Sequence, residues 1–127
     1  MPILDANVIL RYLLNDDPVL SSMAREAVME GCETTPEVIA EVVYVLNGYY
    51  GVERKAIAQT LTAFLDEIEL HEKNSVLYAL TLFAEKSLDF VDCLLAGYHH
   101  VAGKEIKTFD KKLQRVLNKN PLSKGKD

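Results

Sequence analysis

Pro2-Ile3-Leu4-Asp5-Ala6-Asn7-Val8-Ile9-Leu10-Arg11-Tyr12-Leu13-Leu14 opens the chain with a short apolar strand that runs straight into an aspartate, after which the apolar residues from Val8 onward fall at helical spacing. The stretch reads as strand, tight junction and helix, with Asp5 where the strand ends and Asn7 as a good N-cap for the helix. In open α/β sheets the functional crevice lies beyond the carboxyl ends of the strands, where several loops converge. A single aspartate in such a junction is more often a turn or cap residue than a catalyst. The reading therefore turns on whether other acids arrive at the same edge.

Downstream, Asn15-Asp16-Asp17-Pro18 is a stop and restart, with Asp17 as N-cap and Pro18 at the first helical position of a helix that runs to about Glu30 and closes at Gly31. Glu33-Thr34-Thr35 is a short strand candidate. Pro36 and Glu37 then open a helix whose broad apolar face comprises Val38, Ile39, Val42, Val43, Val45, Leu46, Tyr49 and Tyr50. At ~100° per residue, Glu41 falls just beyond the Val38/Val45 flank of that face, an acid at the margin of a core, and such positions are unusual unless the charge is paired or ligating. Gly51 ends this helix and Arg54 to Asp66 form the next. Ile68-Glu69-Leu70 suits a strand, and Asn74 to about Glu85 a helix.

Asp89-Phe90-Val91-Asp92-Cys93-Leu94-Leu95-Ala96-Gly97-Tyr98 reads as a helix with two aspartates in its first turn and small residues one turn on. Glu105 to Phe109 is a strand candidate that runs into Asp110, repeating the arrangement at Asp5, and the last helix covers Lys111 to about Asn118. Strands separated by pairs of helices predict an α/β domain with a small parallel sheet of about four to five strands. Parallel strands put their C-terminal ends on one side, which would bring Asp5 and Asp110 to one edge, with Glu41 and Asp92 carried there by helices.

A chain of 127 residues fits one domain. We expect residues 1–118 to form it, with a basic, mobile tail over 119–127. No apolar run approaches the ~20 residues of a membrane span and no signal-peptide pattern begins the sequence, so a cytoplasmic location is expected. Cys32 and Cys93 lack the spacing of a zinc site and read as small apolar residues. The net charge of −5 conceals a division: residues 1–100 carry 6 Lys/Arg against 16 Asp/Glu, and residues 101–127 carry 8 against 3. A basic end beside an acidic body could hold a phosphate backbone next to a cation-binding site; a solvated helix and lysine-rich tail accounts for the same counts.

Phosphodiester hydrolysis needs an activated water and neutralisation of charge on the transferring phosphate, which a pair of hard divalent ions ~3.5–4 Å apart supplies. Mg²⁺ and Mn²⁺ take oxygen ligands, so a few converging carboxylates suffice. Asp5, Glu41, Asp92 and Asp110 are the candidates. Asp5-Ala6-Asn7-Val8-Ile9-Leu10, Thr35 to Glu41, Leu88 to Ala96 and Thr108-Phe109-Asp110 resemble, in order and spacing, the four acidic blocks of PIN-domain ribonucleases, with closest likeness to VapC-type toxins of toxin–antitoxin pairs. The resemblance implies an Mg²⁺- or Mn²⁺-dependent endoribonuclease on a three-layer α/β/α sandwich, usually a homodimer, held inactive by an antitoxin. It also implies that Asp5, Glu41, Asp92 and Asp110 are the catalytic and metal-holding acids, with Asn7 and Thr108 as supporting polar groups. Ala6 departs from the small hydroxyl residue usual there, and Lys111-Lys112 stand where a further acid can follow Asp110.

Between Asp89 and Asp92, the match favours Asp92 as ligand, while Asp89 is placed as N-cap with its oxygens on first-turn N–H groups. His99 and His100 point about 100° apart and suit carbonyl contacts at a helix end better than shared ligation. Tyr44, Tyr49 and Tyr50 suit core packing or a protein interface, and Tyr12 and Leu13 a dimer interface or antitoxin groove. Two other readings stand beside the nuclease: a catalytically inactive PIN-like binding domain whose acids are caps and ion pairs, and a Mg²⁺-dependent phosphoryl-transfer protein on a flavodoxin-like sheet, for which the spacing of acids and lysine is poor.

Overall fold

Local chemistry sets the helix ends. Asp17 accepts the Leu20 N–H at 3.0 Å and Pro18 takes the first position of α2 (Pro18–Glu30), where its missing donor costs nothing; Gly31, with φ of 98°, terminates the helix. Thr35 Oγ1 likewise accepts from Val38 N–H at 3.2 Å to start α3 (Pro36–Tyr44). The computed structural model describes residues 1–122; the expected basic tail falls mainly on residues 123–127, which lie outside it.

The described chain divides into two compact units, the first Met1–Lys73. Its helices are α1 (Ala6–Leu14), α2, α3 and α4 (Arg54–Phe64), and its strands are β1 (Glu33–Thr34) and β2 (Glu69–Leu70). β1 and β2 are parallel, pairing Glu33 with Glu69 and Thr34 with Leu70, and Ile3 forms a parallel bridge to Glu33 on the other side. The Thr34 hydroxyl, buried, donates to the Leu4 carbonyl at 3.0 Å and so fixes the residue before Asp5 to the end of β1. Ile9, Ile39, Val42, Ile57, Leu61, Phe64 and Leu65 are fully buried. Tyr12 tilts against Phe64, and its hydroxyl donates to Glu67; that bond, then burial, pushes the phenol up to about 12.

The second unit begins at Asn74. It holds nearly all of α5 (Lys73–Glu85), α6 (Phe90–His100) and α7 (Lys111–Asn118), with Val76, Ala79, Leu80, Leu82, Cys93, Ala96 and Leu113 buried. A Cβ on Gly97 would meet the Ser75 carbonyl oxygen at 2.5 Å, so α5 and α6 approach main chain to main chain there. His100 Nε2 donates to the Val116 carbonyl at 2.8 Å and His99 Nδ1 to that of Lys104 at 2.7 Å, which is the carbonyl role expected of these histidines. Hydrogen bonding continues past Asn118: the Tyr78 hydroxyl donates to Asn120 Oδ1 at 2.5 Å.

The chain is thus mostly helical with a small parallel sheet, and four expectations change. The sheet has two short strands and one bridge among the described residues, not four to five strands. Glu105 to Phe109 has the expected alternation, Ile106 and Thr108 half-buried and Glu105, Lys107 and Phe109 exposed, but no ladder partner among the described residues; alternation reports two faces, whereas a strand also needs a neighbouring edge about 4.8 Å away. Asp5, not Asn7, caps α1, because strand end and helix start abut with no loop between them. After Tyr44 the helix widens into a π turn, Val45–Tyr49, with Tyr50 N–H reaching the Val45 carbonyl at 3.1 Å, and Tyr44, Tyr49 and Tyr50 are exposed, so that of their two expected roles, core packing or a protein interface, core packing is lost.

Candidate active site

In the first unit, Asp5 stands directly after the residue that Thr34 holds. Its Oδ1 accepts the Val8 N–H at 3.0 Å, closing the first turn of α1, and the residue is solvent-exposed. Asn7 is exposed in the same turn. Ile3, β1 and β2 run parallel, so α1 and α3 both start from the carboxyl ends of that sheet. Glu41 lies six residues past Thr35, about 9 Å along α3. It is exposed, not half-buried as its helical angle suggested: the neighbours that would cover that flank do not extend over it, and Val38 and Val45 beside it are themselves only half-buried.

In the second unit Asp92 is half-buried. Partial burial, and then the negative charges of Asp110 and Asp89, push the Asp92 carboxyl up from its ordinary value. Asp110 Oδ1 accepts the Leu113 N–H at 2.9 Å and so caps α7. Thr108 locks the approach to that cap: its Oγ1 accepts the Asp110 N–H at 3.0 Å and its carbonyl accepts from Gln114 Nε2 at 2.8 Å. Asp89 occupies the N-cap position of α6 with ψ at 149°, but its side chain makes no capping hydrogen bond, contrary to expectation.

Among the described residues none of these five carboxylates is ion-paired, and no group of three or more His, Cys, Asp or Glu side chains is arranged to hold a metal ion as it stands. The donor chemistry nevertheless fits a hard divalent cation. Such an ion keeps several of its waters and needs only one or two direct carboxylates, and Asp92, destabilised by partial burial beside two like charges, is a carboxylate that a cation would relieve. Sequence reasoning missed one neighbour of the acids, Phe109, which is 100% exposed beside Asp110. Its position as the outward residue of Glu105-Ile106-Lys107-Thr108-Phe109 was the available signal.

No helix among the described residues is long and apolar enough to cross a membrane. No curated protein and no solved structure matches the chain. The PIN domain family, in contrast, matches residues 3–119. Since that match runs from the bridge residue Ile3 to the C-cap of α7 and takes in every acid described above, the chain belongs to the PIN-domain family.

Proposed function

We propose that this chain is an Mg²⁺- or Mn²⁺-dependent endoribonuclease, the VapC-type toxin of a toxin–antitoxin pair, acting from a single PIN-like domain over residues 1–118 with a basic tail. PIN domains are generally nucleases that use divalent metal ions and act on nucleic acid. The observation that carries the reading is the family match over residues 3–119, which takes in Asp5, Glu41, Asp92 and Asp110, joined by a half-buried Asp92 whose carboxyl is pushed up by burial and then by the charges of Asp110 and Asp89. A half-buried carboxylate beside like charges costs the fold, and a bound cation would offset that cost.

In this reading Asp5, Glu41, Asp92 and Asp110 are the catalytic and metal-holding acids, and Asn7, Thr108 and Asp89 are supporting groups. A bound divalent ion supplies an activated water and offsets charge on the transferring phosphate. The protein supplies position. Leu113 N–H and the Thr108 hydroxyl fix the Asp110 side chain and main chain, Val8 N–H fixes Asp5, and each of these carboxylates retains a second oxygen able to take a ligand.

Exposed apolar residues suit the protein partners that the toxin reading implies, a second copy of the chain and an antitoxin. Val19, Leu20 and Met23 are exposed on α2, as are Tyr44, Tyr49 and Tyr50 at the π turn. A second reading, a binding-only PIN domain, is favoured by one fact: Asp5 and Asp110 already serve as helix caps. Purified chain incubated with RNA and Mg²⁺ or Mn²⁺ separates the two. The nuclease cleaves, stops on chelation, and loses cleavage in Asp92→Asn; RNA left intact by the wild type under all these conditions establishes the binding-only domain.

A further inference from the structure

A cleft of about 610 Å³ lies within the second unit, between α7 and the turn that joins α5 to α6. Its lining brings together four cations, Lys86, Lys112, Arg115 and Lys119, and no acid. Leu88 and Val116, both buried, supply an apolar floor. Lys112, Arg115, Val116 and Lys119 recur at the spacing of one helix face, so the cations of α7 line the cleft over about 10 Å from Lys112 to Lys119. One bond joins the two walls, and others hold α7 and the residues after it against α5 and α6. Lys112 Nζ donates to the Ser87 carbonyl, His100 holds the Val116 carbonyl, and Tyr78 and the Leu122 N–H, at 3.0 Å, hold Asn120 in place beyond Lys119.

An apolar floor under a cationic rim takes a ligand that is itself part apolar and repeatedly anionic, and the length of the rim exceeds a single phosphate group. Both walls also lead away from the acids. α7 starts at Asp110, two residues before Lys112, and the α5–α6 turn ends at Leu88, next to Asp89. A strand of nucleic acid cut at those acids would meet the cleft next. We propose that this cleft binds the ribose–phosphate backbone of single-stranded RNA on one side of the scissile bond, with phosphates on Arg115 and Lys119 and riboses or bases over Leu88 and Val116. The choice of RNA over other polyanions rests on the ribonuclease reading above.

Arg115 and Lys119 are exposed, so neutralising them leaves the core intact. The test measures binding of a labelled single-stranded oligoribonucleotide of mixed sequence across a salt series, with chelator present so that cleavage is silent. Every phosphate left without its cation should flatten the slope of log K against log salt by about 0.7, so Arg115→Gln/Lys119→Gln should flatten it by about 1.4 and weaken low-salt binding at least tenfold. Arg115→Lys, which keeps the charge, should keep the slope and shows that the fold tolerates change at this position. Lys55→Gln/Lys107→Gln removes the same net charge outside the cleft and should behave as wild type.

Equal slopes for the cleft variant and the Lys55/Lys107 control overturn the proposal. So does a cleft variant that loses binding of poly-glutamate while keeping that of RNA, since the cleft would then serve an acidic polypeptide. Metal-supported cleavage is scored on the same preparations: flattened binding in a chain that cleaves nothing defeats the nuclease reading and leaves the cleft, whereas intact cleavage with unchanged slopes defeats the cleft alone.

Discussion

The Thr108 hydroxyl accepts the main-chain N–H of Asp110 at 3.0 Å, two residues away, while Asp110 in turn accepts the Leu113 N–H at 2.9 Å. The pair forms a relay in which a threonine orients an aspartate and the aspartate starts a helix. Thr108→Val keeps the shape and removes the acceptor. It should cost about 0.5–1.5 kcal/mol of stability in urea unfolding and weaken Mn²⁺ binding in calorimetry severalfold, whereas Thr108→Ser should restore both. Equal Mn²⁺ affinity in the Val and Ser variants would confine Thr108 to a local turn.

Capping and ligation separate at Asp5. Asparagine caps a helix about as well as aspartate, and alanine does not, so Asp5→Ala should lose about 1 kcal/mol and Asp5→Asn little. Both should abolish metal-supported cleavage, because neither carries the charge. A fully active Asp5→Asn would make Asp5 a cap and nothing more.

Much of this was legible in the sequence because the signals were local. Asp17-Pro18, Gly31 and Thr35-Pro36 mark helix ends through backbone preferences that act within a turn, and those ends stand where the residues put them. What was not legible depends on partners distant in sequence. The alternation of Glu105 to Phe109 records which side is covered without disclosing that, among the described residues, no strand edge pairs with it. The helical angle of Glu41 says which flank it occupies and nothing about whether any neighbour covers that flank. The order of the acidic blocks was readable, but the partial burial of Asp92 near the charges of Asp110 and Asp89 emerges only when α6 and the start of α7 are placed in space.

Asp92 makes stability depend on pH in a direction opposite to that of an ion-paired acid. Its folded carboxyl is raised above the ordinary value of 3.8, first by burial and then by Asp110 and Asp89. Between the unfolded and the raised folded value the native state binds more protons than the unfolded one, so stability falls as pH rises through that window and stays lower above it. Asp92→Asn should therefore raise the unfolding midpoint at neutral pH and flatten this part of the profile. Added Mn²⁺ should stabilise the wild type more than the variant; an unchanged midpoint and an equal response to Mn²⁺ would show that Asp92 neither strains the fold nor meets an ion.

Gly97 permits the close approach of α6 to Ser75 on α5. A methyl group there would sit 2.5 Å from a main-chain oxygen, which cannot swing aside as a flexible side chain can. Gly97→Ala should therefore destabilise the protein by about 1–3 kcal/mol despite alanine's higher helix propensity, as read from the denaturant midpoint. A gain in stability would mean that the two helices can part at little cost.

The double use of Asp5 and Asp110 also bears on how such a chain could change over generations. One oxygen of each holds the first turn of a helix, so exchange for asparagine keeps the turn and discards only the charge. Selection for a folded protein would scarcely register that exchange. An RNA-cutting chain and an inert, RNA-holding descendant thus stand a single nucleotide change apart at either codon, since aspartate and asparagine codons differ only in their first base, and the descendant would inherit an intact basic cleft.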